Sequence, residues 1–397
     1  MNKVNVKDLD VKGKRVLLRV DLNVTLNKHG EIIEENKMRS SLPTIKYLSE
    51  QGAIVIMASH LGRPQGQPVE ELRLDPVAKE LAEMLGKPVY KTDKVVGEEP
   101  LKALEMLKSG DILMLENIRF HPGETTNDPE LARQYAQLAD IYVNDAFGTS
   151  HRAHASTVGV AELLPAAAGL NMEREIIMMS KILESPERPL VAILGGTKVA
   201  DKIELINHLL DVVDFLLIGG GMANTFFRAQ GVDMGKSFVE EDKVQAAEEI
   251  LARTKNKKAN LVLPVDFIAA SEASENSDQK VVAPDSVPSD WMALDIGPET
   301  VQKFKEILKT ARTVIWNGPL GMFEIEDFAQ GTMETARFIA DLEAVKVIGG
   351  GDVVAAVEKA GVAEKMTHIS TGGGAALEFW EGKELPALSV LPEKVTV

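Results

Sequence analysis

The stretch Leu190–Lys198 reads LVAILGGTK: five consecutive apolar residues, two glycines, a threonine and a lysine. The apolar run is too short for a helix, and its unbroken character is that of a parallel strand buried on both faces. The same kind of run recurs along the chain. Before it lie Val16–Val20, Ala53–Ala58, Ile112–Leu115 and Ile141–Val143. After it come Phe215–Ile218, Leu261–Pro264, Thr313–Trp316, Val345–Ile348 and His368–Ser370. Amphipathic segments of helical period separate the runs, among them Asp75–Leu85, Pro129–Leu138, Glu240–Leu251 and Glu299–Lys309. This alternation predicts an α/β protein with doubly wound parallel sheets and helices on both sheet faces. Ten strands in a single open sheet would be unusual, and 397 residues suit two domains, so two sheets are expected.

The boundary is expected near Leu170–Glu184, where Met172, Ile176, Met179 and Leu183 form a helical stripe. Pro186 and Pro189 stop that helix before the strand at Leu190. The expected division is a first domain over 1–170, a connecting helix over 171–184 and a second domain over 185–384. For residues 385–397 the sequence leaves open whether they pack back on the first domain.

Composition narrows the function classes. Apolar residues make up 45% and charged residues 26%, which excludes a disordered or fibrous chain. The net charge of −16 opposes binding to nucleic acid or an anionic membrane, though a local basic cleft could still take an anion. With no cysteine there are no disulfides, thiolate metal sites or thiol nucleophiles. The N-terminal MNKVNVKDLD lacks the apolar core of a signal peptide, and a cytoplasmic protein is expected. The charge is unevenly shared, −4 over residues 1–184 and −12 over 185–397.

Glycines follow strands repeatedly in the second half: Gly195-Gly196, Gly219-Gly220-Gly221, Gly318, Gly349-Gly350-Gly351 and Gly372-Gly373-Gly374. Open α/β sheets bind ligands at the carboxyl ends of their strands. Glycine there lets backbone N–H groups approach an anion, and a following helix N-terminus adds partial positive charge. Tight turns alone account for single cases; five together favour a phosphate-rich ligand. Lys198 and Lys202 stand four apart, and a helix starting there would place both on one face. Asp352 opens a helix after three glycines, as an N-cap or, beside a nucleotide, as a magnesium ligand. Two signatures fail. GVDMGKS over 231–237 has one residue too few between its glycines for a P-loop, and Asn224 stands where a dinucleotide fingerprint needs glycine.

In the first half the strand ends carry charge: Asp21-Leu22-Asn23, Ser59-His60-Leu61-Gly62-Arg63-Pro64 and Glu116-Asn117-Ile118-Arg119-Phe120. Arg63 and Arg119 follow strands expected to be neighbours, so their guanidinium groups are expected to converge on a small, multiply anionic substrate. Arg39 and Arg152 lie between such units. His151 and His154 lack the third ligand of a zinc site and read better as substrate-shell histidines. No acid–base or nucleophile constellation stands out, and phosphoryl transfer from an acyl phosphate needs none. A solute-binding protein would need an export signal, and a nicotinamide dehydrogenase would need the missing fingerprint.

Nine segments together resemble the phosphoglycerate kinase family. They are Arg19–Val24, Ser59–Pro64, Glu116–Phe120, Asn144–Gly148, Ser150–His154, Gly195–Lys202, Trp316–Gly321, Gly349–Asp352 and Ser370–Ala375, in order along essentially the whole chain. The resemblance implies two Rossmann-like domains facing each other across a cleft, and the reversible reaction of 1,3-bisphosphoglycerate with Mg-ADP in glycolysis. It implies 3-phosphoglycerate contacts at Asp21, Leu22, Asn23, Arg39, His60, Leu61, Gly62, Arg63, Arg119 and Arg152. It implies nucleotide contacts at Lys202, Ala293, Glu324, Gly350, Gly351, Asp352 and Val353, with Mg2+ at Asp352. Arg39, Lys198, Lys202 and the Gly372–Gly374 backbone, Gly373 included, would stabilise the moving phosphoryl group. A monomer that bends at a hinge around Leu170–Glu184 and Ser370–Gly374 is expected. Two departures stand out: Thr25 where the family has proline, and Val353 where it has threonine or serine. The second removes a phosphate-bonding hydroxyl, and weaker nucleotide binding is expected.

Overall fold

A computed structural model describes residues 2–255 and 257–394 of the chain. The chain divides into two compact units, one running to Ile177 and resuming at Glu384, the other spanning Met178–Lys383. The boundary falls inside the helix Leu170–Glu184.

The first unit holds six strands: β1 Arg15–Arg19, β2 Ile54–Ala58, β3 Tyr90–Lys91, β4 Ile112–Met114, β5 Ile141–Asn144 and β6 Ala166–Ala168. They pair in parallel in the order β3-β4-β2-β1-β5-β6. The chain winds first one way from β1 and then the other, so the strand order reverses at the sheet centre, where ligands of such folds bind. Four of the five residues in both β1 and β2 are buried, which is why these runs are apolar without alternation. Their side chains form the core with Met38, Ile45, Leu48, Val77 and Leu81 from the covering helices. Each such buried aliphatic side chain contributes about 1.5–3 kcal/mol. The helices begin and end on local signals. Asp128 accepts the N–H of Leu131 ahead of Pro129, and Gly86 closes Asp75–Leu85 with a left-handed φ of 66°.

The C-terminal segment packs on the first unit. Val4 N–H donates to the carbonyl of Pro392, Lys394 N–H to Asn2, and Ala387 N–H to Ser150. Residues 395–397 of the tail lie outside the described residues.

The second unit repeats the plan with β7 Leu190–Leu194, β8 Phe215–Ile218, β9 Asn260–Val262, β13 Thr313–Asn317, β14 Val345–Gly349 and β15 His368–Ile369, ordered β15-β14-β13-β7-β8-β9 and parallel throughout. Between β9 and β13 a small antiparallel sheet is inserted, β10 Phe267–Ala270, β11 Gln279–Val282 and β12 Met292–Ile296, which the apolar runs do not announce. Trp316, Phe304, Ile193 and Val314 anchor the core of this unit. Among the described residues no helix is long and apolar enough to cross a membrane.

Candidate functional site

At the carboxyl edge of the first sheet, three loops are stitched together by side chains that the sequence places directly after strands. Leu22 N–H donates to Ser59 Oγ at 2.9 Å, and Gly62 N–H to Asn23 Oδ1 at 2.8 Å. Asn117 Nδ2 donates to the carbonyls of Leu61 and Leu72 at 2.8 and 2.9 Å. Arg119 Nη1 donates to the carbonyl of Gly62 at 2.9 Å. Gly62 is required: its φ is +63°, and a Cβ there would lie 2.7 Å from Leu72 Cδ2. The loops are thereby fixed before any ligand arrives.

Positive charge accumulates on this edge. Arg19 is fully buried, and its Nη2 lies 3.1 Å from Nδ1 of His60. Burial first, then Arg19 and Arg152, brings Arg119 down to about 10, and its Nε is buried with no hydrogen-bond partner among the described residues. Burial, then Arg19, Arg119, Lys37 and His154, holds His60 well below the ordinary histidine range. His154 falls to about 4 through burial and then Arg19, Arg119, Arg152 and His151. Cations crowded in low dielectric resist further positive charge, and an anion would relieve all of them at once.

The expected residues are distributed unevenly around this cluster. Asp21 is buried and 3.4 Å from Lys37 Nζ. Arg152 acts on Arg119, whereas Arg63 is exposed and, among the described residues, follows Gly62, whose carbonyl accepts from Arg119. The cations that act on Arg119 are therefore Arg19 and Arg152, not its expected partner Arg63. Arg39 is exposed and pairs at 2.6 Å with Glu35, the N-cap residue of its helix Asn36–Glu50. Lys37, Arg19 and Glu124 are not among the residues expected from the sequence. A charged residue directly after an apolar run, as Arg19 is after Val16–Leu18, is the signal that marks one of them.

In the second unit the strand-end glycines fall into two groups. A Cβ on Gly195 would lie 2.0 Å from the carbonyl oxygen of Pro319, and one on Gly220 would lie 2.7 Å from that of Gly196. These glycines let three loops pack backbone to backbone, an arrangement sealed by Gly196 N–H to Pro319 at 2.7 Å and Met222 N–H to Gly196 at 3.0 Å. Gly351 and Gly373, by contrast, have nothing within 4 Å of a Cβ among the described residues. Gly350 caps the helix Gly351–Lys359, which has no side-chain cap, so its first N–H groups remain available to an anion.

Lys202 is half-buried, and its ammonium would stand 3.3 Å from a Cβ on Gly196. Burial lowers its pKa, while Asp201 and Asp352 act in the opposite sense. The α-helix here begins only at Ile203, after a 3-10 turn over Ala200–Lys202. Lys198 lies ahead of both and is exposed, so the two lysines do not share a helix face. The Glu240 carboxylate occupies the N–H groups of Val199 and Ala200 and sets this delayed start. Asp352 is exposed, but the side chain of Val353 is 0% exposed and belongs to the apolar core. A hydroxyl at 353 would take the place of a methyl that packs in this core. Met322 N–H donates to Leu294 at 2.9 Å and so brings the turn of Glu324 beside the strand of Ala293, whose own N–H donates to Ser237 Oγ at 2.8 Å.

A cavity of about 600 Å³ in the same unit is lined by Asp201, Glu204, Glu378 and Glu381 with Lys243 and Lys383. Its carboxylates make it unsuited to phosphate. Among the described residues no group of three His, Asp or Glu could hold a metal ion. A single exposed carboxylate such as Asp352 fits Mg2+ that reaches the protein with phosphate oxygens as its other ligands.

A pair of doubly wound α/β units, one with a buried cationic edge and one with open glycine turns at helix starts, defines a two-substrate phosphotransferase. The sequence profile of the family described as phosphoglycerate kinase matches residues 6–383. The phosphoglycerate kinase of Pelotomaculum thermopropionicum is 54% identical over 99% of this chain and 100% of its own length. That of Moorella thermoacetica is 56% identical with the same coverage. Among solved structures, phosphoglycerate kinase from Coxiella burnetii matches with a TM-score of 0.89 at 42% identity, covering 98% of both chains. That from Pyrococcus horikoshii matches with 0.85 at 36%, again over 98% of each. The chain belongs to the phosphoglycerate kinase family. It is a phosphotransferase with a carboxyl acceptor, transferring phosphate between 1,3-bisphosphoglycerate and ADP in glycolysis.

Proposed function

We propose that the two units divide the ligands of this reaction. The first takes the phosphoglycerate through Asp21, Asn23, His60, Arg63, Arg119 and Arg152, with the backbone of Leu22, Leu61 and Gly62 shaping the pocket and Arg39 at the reacting end. The observation that carries this reading is the half-buried guanidinium of Arg119, its pKa lowered by burial and by Arg19 and Arg152 more than Glu124 and Asp21 restore it, beside two histidines held neutral. The second takes ADP or ATP through Lys202, Ala293, Glu324, Gly350, Gly351, the carboxylate of Asp352 and the backbone of Val353. Asp352 would hold Mg2+, which neutralises phosphate charge when bound.

In the forward direction a β-phosphate oxygen of ADP bonds to phosphorus as the bond from phosphorus to the carboxyl oxygen breaks. A carboxylate leaves, and no proton moves. Catalysis then consists of alignment and of neutralising charge on the moving group by Arg39, Lys198, Lys202 and the Gly373 N–H. Bending about Leu170–Glu184 and Ser370–Gly374 brings the ligands into line and excludes water. The enzyme works as a monomer in the cytoplasm, which light scattering and fractionation check.

Isothermal titration separates the two half-sites. Arg119→Ala should abolish measurable binding of 3-phosphoglycerate and leave that of Mg-ADP intact. Loss of nucleotide binding instead would refute the division.

A further inference from the structure

Arg19 lies outside the ligand set proposed above, yet it touches a member of it. It is fully buried at the end of β1 and held on three sides. Nη1 donates to the carbonyl of Val20, Nε donates to Ser156 Oγ at 2.9 Å, and Nη2 meets His60 Nδ1 at 3.1 Å. A guanidinium has five donors and no acceptor. The contact with His60 therefore holds only when Nδ1 carries no proton. An imidazolium cannot make it, and the Nδ1–H tautomer would turn two N–H groups on each other. What remains is the neutral ring with its proton on Nε2, an atom with no hydrogen-bond partner among the described residues.

Arg19 is itself anchored from behind. Ser156 Oγ passes a hydrogen bond on to Glu124 at 2.6 Å, and the Tyr135 hydroxyl donates to the same carboxylate at 3.2 Å. Glu124 is wholly buried, so the guanidinium and the carboxylate hold each other through one hydroxyl. The arrangement leaves Arg19 little freedom to turn away from the histidine.

We infer that Arg19 is a positioning residue for His60: it fixes the neutral Nε2–H tautomer, so that His60 offers a donor rather than a lone pair to an anionic ligand. The inference rests on the reading of His60 as a phosphoglycerate ligand. The opposite tautomer would present a lone pair to a carboxylate or phosphate oxygen and repel it. The charged and titratable groups that act on His60 are Arg19, Arg119, Lys37 and His154, which together with burial oppose its protonation. The donor is thus present throughout the neutral range.

Two-bond proton–nitrogen spectra of histidine-labelled enzyme read the tautomer, and initial rates read its use. Wild-type His60 should show a bare Nδ1 and a protonated Nε2. Arg19→Lys keeps a cation near Glu124 but lacks the planar fork. It should yield mixed tautomers and raise KM for 3-phosphoglycerate about tenfold, with KM for ATP unchanged. Ser156→Ala, which removes only the Nε anchor, should move the same signals less and serves if Arg19→Lys fails to fold. In a His60→Ala background Arg19→Lys should add nothing to KM. A protonated Nδ1 in the wild type, an unaltered tautomer in both variants, or a further KM loss in that background would each overturn the inference. If His60→Ala leaves KM for 3-phosphoglycerate unchanged while the tautomer responds as stated, the ligand assignment falls and control of the ring by Arg19 stands.

Discussion

Asp145 Oδ1 accepts the backbone N–H of Met172 at 3.0 Å, so a carboxyl at the end of β5 caps the helix Leu170–Glu184 from inside the protein. The neighbouring Leu170 N–H is taken by Thr44 Oγ1 at 2.9 Å. Burial pushes Asp145 up to about 7, against the hydrogen bonds from Met172, Thr44 and Asn171 that favour its ionised form. The cap is therefore coupled to pH.

In the unfolded chain Asp145 titrates near 3.8, so the folded protein holds the proton more tightly. Its contribution to stability is complete below that value and is lost as pH rises through about 7. Asp145→Asn keeps the acceptor and removes the titration. The wild type should lose stability relative to the variant between those pH values, with a slope approaching about 1.4 kcal/mol per pH unit. Urea unfolding across that range checks this, and parallel curves would show a carboxyl that titrates normally.

The glycines separate folding from binding. Gly195→Ala would drive a methyl to 2.0 Å from the Pro319 carbonyl oxygen, and a loss of about 3 kcal/mol is expected. Gly351→Ala meets nothing within 4 Å and places a better helix former in the first turn, so the melting temperature should hold or rise. Its KM for ADP should nevertheless increase several-fold. Equal melting shifts in the two variants would remove the distinction between packing and open glycines.

Much of this architecture is legible in the sequence because a central parallel strand must be apolar at every position. All ten expected runs overlap strands, and Leu170–Glu184 matches its helix end to end. The strands that escape reading lack that constraint. Tyr90–Lys91 is two residues at a sheet edge, Ala166–Ala168 is alanine in place of β-branched residues, and Gln279–Val282 is exposed at three of four positions. The strand-end loops that carry the candidate site could be read from charge and glycine placed directly after apolar runs. Side-chain direction could not. Lys198 leaves the expected helix face because Glu240, distant in sequence, occupies the N–H groups of Val199 and Ala200, and the phase of the helix Gly351–Lys359 turns Val353 into the core.

That phase makes Val353→Thr informative. The new hydroxyl would enter a core lined by Val191, Ile193 and Val357, at a cost of about 1–3 kcal/mol. Stability should fall while the KM values for ATP and ADP stay within about twofold. A tighter KM with unchanged stability would mean that the hydroxyl reaches phosphate, as the sequence by itself suggests.

Arg39 offers the reverse case, a side chain with little structural work. It is exposed, and among the described residues its side chain pairs with Glu35, the N-cap residue of its helix, a pair worth about 0.3–0.5 kcal/mol. Arg39→Ala should leave the melting temperature nearly unchanged. If the guanidinium neutralises charge on the moving phosphoryl group, turnover should fall about 10²–10³-fold. Arg39→Lys should recover only part of that loss, because an ammonium cannot bind two phosphoryl oxygens in the plane of a fork. Steady-state rates in both directions, with melting curves on the same preparations, decide the matter. A variant with full turnover would move the catalytic charge to Lys198 and Lys202 alone.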